Sequence, residues 1–255
     1  MFIDTHCHLH DAKLPDTDAV VKAFVRDGVD AVINMGCCAQ TSEIGKVLSE
    51  KYQQVYFATG CHPSDVGGFD DREFDRIAVL TSHPKCVAVG EIGLDYHWQG
   101  YDKKRQADAF VRQIELAYSS GLPISVHSRD ATADTLKILK ENKSKLIHGG
   151  VMHCFSGSKE TAKEMLDLGL YISFAGPLTF KNAGRALEVA RFVPNDFCLT
   201  ETDCPYLAPH PLRGTVNEPK NVGIITAFLA QLKNVELSEF AGVIKQNAKR
   251  LFTKL

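Results

Sequence analysis

Eight short apolar runs, rich in β-branched residues, recur along this chain at intervals of roughly 20 to 37 residues. They read FIDTH from residue 2, AVINMG from 31, VYFATG from 55, CVAVGEIG from 86, PISVHS from 123, GVMHCFSG from 150, YISFAG from 171 and FCLTETD from 197. Runs of this length bounded by turn formers are strand candidates. Amphipathic stretches separate them. The clearest is Lys103–Ser120, where Ala107, Phe110, Val111, Ile114, Ala117 and Tyr118 share one helical face and Gly121 supplies a left-handed cap. Residues 18–27 and 159–168 end in the same way at Gly28 and Gly169.

Each interval has the size of a βα unit, and a strand–helix–strand crossover returns the chain parallel to where it began. Eight such units can close on themselves, and no Gly/Ser/Pro-rich linker divides them. The chain is therefore expected to form a single (β/α)8 TIM barrel over residues 1–255, with its ionisable strand ends on one face. An open doubly wound sheet is the alternative, but the glycine-rich phosphate loop it needs after the first strand is absent. Residues 237–255 read as a closing helix. The turn-rich stretch PYLAPHPLRGTVNEP follows Asp203 and Cys204, so residues 204–218 are expected to form a lid-like loop after the eighth strand.

Hydrophobic residues make up 44% and charged residues 24%, ordinary values for a globular chain with a large core. The formal charge of −2 argues against coating nucleic acid without regard to sequence. It leaves room for an enzyme that grips a few phosphates, because bound cations supply a local positive field. The start, MFIDTHCHLHD, lacks a basic region followed by an apolar stretch, and no run approaches the roughly 18 apolar residues needed to cross a bilayer. The expectation is a soluble cytoplasmic protein with no membrane partner and no obligate protein partner. Eight cysteines include no CxxC pair, so free thiols are expected.

Residues two apart in a strand share a face, so His6 and His8 converge while Cys7 points the other way. Glu91, His127, His153 and Asp203 each stand at or near the end of another strand candidate. Four imidazoles and two carboxylates gathered on one barrel face cannot satisfy one another by pairing alone, and metal is the simplest remedy. Six nitrogen and oxygen donors suit two divalent ions sharing a carboxylate, whether Mg, Mn or Zn. Cys7 and Cys154 are expected to face the helices as core.

The stretches IDTHCHLH, GCHPSDV, GEIGLDYHW, PISVHSRDA, HCFSGS and ETDCPYLAPHPLRGTVNEP span residues 3–219, and in that combination the chain resembles the TatD family of metal-dependent deoxyribonucleases, amidohydrolase-like metallohydrolases. The resemblance implies that His6, His8, Glu91 and Asp203 hold one ion and that Glu91, His127 and His153 hold the other. It also places His62 and Arg129 near the substrate phosphate. The implied reaction is metal-activated hydrolysis of DNA phosphodiesters, exonucleolytic on single-stranded or frayed ends. Glu91 and Asp203 are the catalytic carboxylates, and Asp203 takes up the proton of the attacking water. Arg213 joins His62 and Arg129 as a phosphate contact, with Tyr206 or Trp98 available to stack on a base.

Thr215, Val216 and Cys204 depart from the family's usual residues, which leaves the ligands intact but bears on how the lid holds substrate. Asp4, Asp95 and Glu201 are expected to orient histidines, and His10, His83, His97, His148 and His210 to have no direct role. Three other readings follow from the same residues. An amidohydrolase-type enzyme would act on an amide, ester or aminoacyl-tRNA ester, but such sites often bridge their metals with a carboxylated lysine where Glu91 stands here. His6, His8 and His10 together could open a histidinol-phosphatase-type phosphoesterase. A catalytically silent metal-binding scaffold would normally have lost a ligand.

Overall fold

The computed structural model describes residues 1–14 and 16–255. Every one of the apolar runs is a strand: β1 (Phe2–Cys7), β2 (Val29–Met35), β3 (Val55–Thr59), β4 (Cys86–Asp95), β5 (Ile124–Arg129), β6 (Gly150–Met152), β7 (Leu170–Phe174) and β8 (Cys198–Thr200). They form one sheet in sequence order with every neighbouring pair parallel. A parallel bridge between Cys7 and Cys204 joins the two ends. The His8 amide donates to the Cys204 carbonyl at 2.7 Å and the Asp203 amide to the His6 carbonyl at 2.9 Å. The sheet is thus the (β/α)8 barrel that the spacing implied, nearly closed on itself through this bridge between its two edge strands.

Asp4 fastens this seam. Its carboxylate accepts from the Thr202 amide at 2.8 Å, the Thr202 hydroxyl at 2.5 Å and the His6 amide at 3.3 Å. Asp4 therefore holds the backbone beneath His6 and does not touch a histidine ring. Asp4→Ala would leave these donors in a dry interior, at a cost of about 2–3 kcal/mol. The expected readout is a lower denaturant midpoint at unchanged slope; an unmoved midpoint would mean that the backbone bonds alone hold the seam.

The Lys103–Ser120 helix forms as its periodicity predicts, with Asp102 accepting from the Arg105 amide and Gly121 left-handed at φ 68°. The stretch 18–27 is not one helix but two, Thr17–Lys22 and Phe24–Asp27. The Ala23 amide is shared among the carbonyls of Ala19, Val20 and Val21, the tightening that ends a helix. Phe57, Phe110, Ile114, Leu139 and Phe240 pack between sheet and helices. Inside the barrel, Ile3, Ile33, Met35, Val151 and Leu199 meet Ala248, Leu251 and Phe252, so the last helix, Leu237–Leu251, and the residue after it plug the end opposite the site. None of the described residues forms a helix long and apolar enough to cross a membrane.

Two details of the strands differ from the sequence reading. β6 and β8 are only three residues long, so His153 and Asp203 lie in the turns beyond them. Glu91 lies inside β4, not at its end. Val89 pairs with Ile124 but Ile92 with Val126, so β4 carries one extra residue across this step. Such a bulge re-aims a side chain, and here it turns Glu91 into the barrel mouth. Gly93 accommodates the distortion at φ 140°, where an added Cβ would lie 2.0 Å from the His127 carbonyl oxygen.

The stretch 204–218 has no regular helix or strand. Asn217, fully buried, donates to the Thr202 carbonyl at 2.9 Å and the Tyr206 carbonyl at 2.7 Å, and accepts from Asn221 at 2.8 Å. These bonds fix the base of the loop against the end of β8.

Candidate metal centre

Alternation along β1 aims His6 and His8 into the mouth, while Cys7 is fully buried among Leu9, Leu14, Val21 and Phe24 beneath the first helices. Asp203 has φ 56°. Aspartate tolerates this left-handed conformation better than most residues, and the turn it makes brings its carboxylate back over β1. Nε2 of His6 and Nε2 of His8 lie 3.3 Å apart. Asp203 Oδ1 is 3.6 Å from the first and 3.3 Å from the second, and Glu91 Oε2 is 3.3 Å and 3.7 Å from them. On the far side of Glu91, its other oxygen, Oε1, is 2.8 Å from His127 Nδ1 and 3.0 Å from His153 Nε2, and those two nitrogens are 3.3 Å apart. Two groups of donors therefore share one buried carboxylate.

The donor set fits divalent cations. Donors about 2.1 Å from a cation lie roughly 3.0–3.4 Å from one another, and the separations within the two groups, 2.8–3.7 Å, bracket that range. In each, two imidazole nitrogens point at one another. A proton can sit on only one of a facing pair, whereas a cation satisfies both lone pairs. In the second group the outer nitrogens are held as metal-bound histidines require: His127 Nε2 lies 3.0 Å from Asp95 Oδ2 and His153 Nδ1 lies 3.2 Å from Glu201 Oε1, whereas the outer nitrogen of His6 has no such partner. Asp95→Asn and Glu201→Gln are each expected to weaken divalent-metal affinity about 10–100-fold. Titration calorimetry on chelator-stripped protein measures this, and unaltered affinity would remove the orienting role.

The electrostatics agree. Burial opposes charge on Glu91, but His153, His62, His6 and the hydrogen bond from His127 outweigh it and hold the carboxyl well below the usual range. Burial likewise opposes charge on Asp203, and His8, His6 and His153 overcome it. Burial depresses His6. On His153 burial is outweighed by Glu91 and Glu201, which raise the imidazole well above its ordinary value. The site thus keeps its carboxylates anionic at neutral pH, the form in which they bind cations.

The other expected site residues are spread around this centre. His62 Nε2 is 3.5 Å from Glu91 Oε1, its ring is edge-on to His127, and burial lowers its pKa to about 4. The Tyr206 hydroxyl donates to Asp11 at 2.5 Å, and its ring centroid is 6.4 Å from that of His8. Arg129 is exposed at the end of β5, 5.5 Å from the Trp98 ring, and Arg213 stands on another flank, 4.6 Å over Phe180. His62 and Tyr206 are thus brought beside the donor groups, whereas both arginines are exposed. Cys154 is not core: it has φ 42°, lies beyond β6 and lines a cavity.

Sequence reasoning passed over Cys37, whose sulfur lies 3.8 Å from His8 Nδ1. It also passed over Asn34, which accepts from the Leu9 amide at 2.8 Å and so holds the chain just after His8. Neither belongs to a motif, and only the packing of β2 against β1 reveals them.

The model of the family described as TatD related DNase matches residues 3–253. An uncharacterized metal-dependent hydrolase of Bacillus subtilis (strain 168), YabD, is 43% identical over 254 residues, 99% of each chain. The 3'-5' ssDNA/RNA exonuclease TatD of Citrobacter koseri is 33% identical over 242 residues, 93% of each chain. Among solved structures, the TatD homologue YJJV from Escherichia coli k12 superposes with a TM-score of 0.93 at 31% identity, covering 99% of this chain and 98% of that one. With the family model matching almost the whole chain and the barrel superposing over almost its whole length, the chain belongs to the TatD family of metal-dependent hydrolases.

Proposed function

We propose that this protein is a two-metal phosphodiesterase that removes nucleotides from single-stranded or frayed DNA ends. The observation that carries the reading is the pair of donor groups joined through the two oxygens of Glu91. The name of the Citrobacter koseri relative, an exonuclease of single-stranded DNA and RNA, supports nucleic acid as the substrate.

His6, His8, Glu91 and Asp203 would hold one divalent ion, with Glu91, His127 and His153 holding the other; when bound, the pair polarises the phosphate and lowers the pKa of water. The chain's own groups do the rest. Asp203, ionised and at the open edge of its group, accepts the proton of the water that attacks phosphorus in line with the leaving oxygen. His62, held neutral by burial, offers an uncharged hydrogen-bonding edge beside Glu91. Arg129 and Arg213 on separate flanks provide charge-assisted hydrogen bonds to phosphates on either side of the scissile bond. A net charge of −2 argues against gripping a long duplex along its backbone, which favours ends and unpaired strands.

The test is end-labelled single-stranded DNA incubated with chelator-stripped protein, with and without Mg²⁺ or Mn²⁺, beside Asp203→Ala. Laddering that needs metal and disappears in the variant supports the reading, and the surviving label gives the polarity. Intact DNA alongside turnover of an ester or amide would overturn it.

A further inference from the structure

Beyond the ends of β6 and β7 lies a cavity of about 460 Å³ that the metal centre does not use. Its inner end is Cys154, the residue after His153, whose amide donates to Glu201 at 2.6 Å, so the cavity abuts the ligand cage. Phe155, Pro177 and Phe180 contribute apolar wall, and the exposed Asn182 and Arg185 contribute a polar rim. Phe155 is fixed in place: its amide donates to the Ser173 carbonyl at 3.1 Å, and a Cβ on Gly157 would lie 2.6 Å from its ring. A side chain at position 157 would collide with that ring. The loop 204–218 is tied to the same wall, the His210 amide donating to the Thr179 hydroxyl at 2.8 Å, and brings Arg213 over Phe180.

We infer that this cavity receives the unpaired base of the nucleotide next to the scissile phosphate, an inference that rests on the phosphodiesterase reading. The volume falls in the range of small-ligand sites, roughly 300–1,000 Å³. Aromatic faces accept any base by stacking. The carboxamide of Asn182 can both donate to and accept from a base edge, and Arg185 and Arg213 match the phosphates that flank it. An acyl chain or apolar amide substituent would find no use for that rim. A base still paired to a complementary strand cannot enter the recess, so the cavity itself selects frayed or single-stranded ends. Tyr206 does not line this cavity, and its hydroxyl is held by Asp11.

The experiment has a binding arm and a turnover arm. In chelator, without turnover, oligonucleotides carrying 2-aminopurine at one terminus or the other are titrated with protein. Quenching at one terminus is expected, and it should be lost in Phe180→Ala and weakened in Asn182→Ala, whose exposed side chain can be removed without packing loss. With metal, replacing that terminal nucleotide by a base-less tetrahydrofuran unit should lower kcat/KM about tenfold for the wild type, and the ratio between the two substrates should fall to about one in Phe180→Ala. Unchanged emission at both termini, or equal rates on the two substrates with DNA still cleaved, overturns the cavity assignment alone. Failure of the wild type to hydrolyse either oligonucleotide or bis(p-nitrophenyl) phosphate overturns the reading beneath it as well.

Discussion

Glu91→Gln is expected to lower metal-dependent hydrolysis by about 10³-fold or more, equivalent to about 4 kcal/mol at 1.36 kcal/mol per decade, and to weaken cation binding in both donor groups at once. The substitution keeps the shape of a buried side chain and removes only its charge and one acceptor oxygen. Oε2 faces His6 and His8 while Oε1 faces His127 and His153, so no other single residue serves both groups. Asp203→Asn and His153→Ala, each confined to one group, provide the comparison: either should lower the metal content of the protein by at most one ion per chain. Elemental analysis after dialysis against divalent metal reads the stoichiometry directly. A Glu91→Gln protein that retained as much metal as the wild type would refute the shared carboxylate, whatever its activity.

Gly93→Ala is expected to destabilise the fold by about 3 kcal/mol or more, from overpacking added to an unfavourable backbone conformation. At φ 140° few side chains are tolerated, and the added methyl would lie 2.0 Å from the carbonyl oxygen of His127, part of the neighbouring backbone and unable to rotate aside. Gly93 and His127 are direct partners across β4 and β5. Relief must therefore come from moving apart the two strands that carry Glu91 and His127, and metal affinity should fall along with stability. For a chain of this size the loss corresponds to a fall in Tm of about 6–12 °C. Gly67→Ala, with nothing within 4 Å of the added carbon, is the control and should be nearly neutral. A Gly93→Ala protein that melts with the wild type would show that the bulge can relax at little cost.

The barrel was largely legible in the chain because its signals are local. Short β-branched runs, helical periodicity between them and glycine caps such as Gly28, Gly121 and Gly169 report backbone preferences that neighbouring residues set, and all of the strands appear where those signals lie. The candidate donors were legible because six ionisable side chains in or just beyond apolar strands have no cheap alternative to gathering at one mouth. The same local logic failed where a preference was overridden. It read residues 18–27 as one helix, and it counted Cys154 into a strand that stops at Met152.

The order of elements and the choice of candidate donors are thus legible in the sequence alone. Tertiary structure decides which oxygen of Glu91 faces which histidines, since that depends on one extra residue in β4 and on the glycine that accommodates it. It also decides that His62 approaches Glu91, that Asp4 grips Thr202 rather than a histidine ring, and that Phe155, Phe180 and Arg185 line one cavity. The reason is physical. A side chain's distance from a partner fifty or two hundred residues away is set by strand register and barrel closure, and these are properties of the whole packed sheet that no stretch of neighbouring residues encodes.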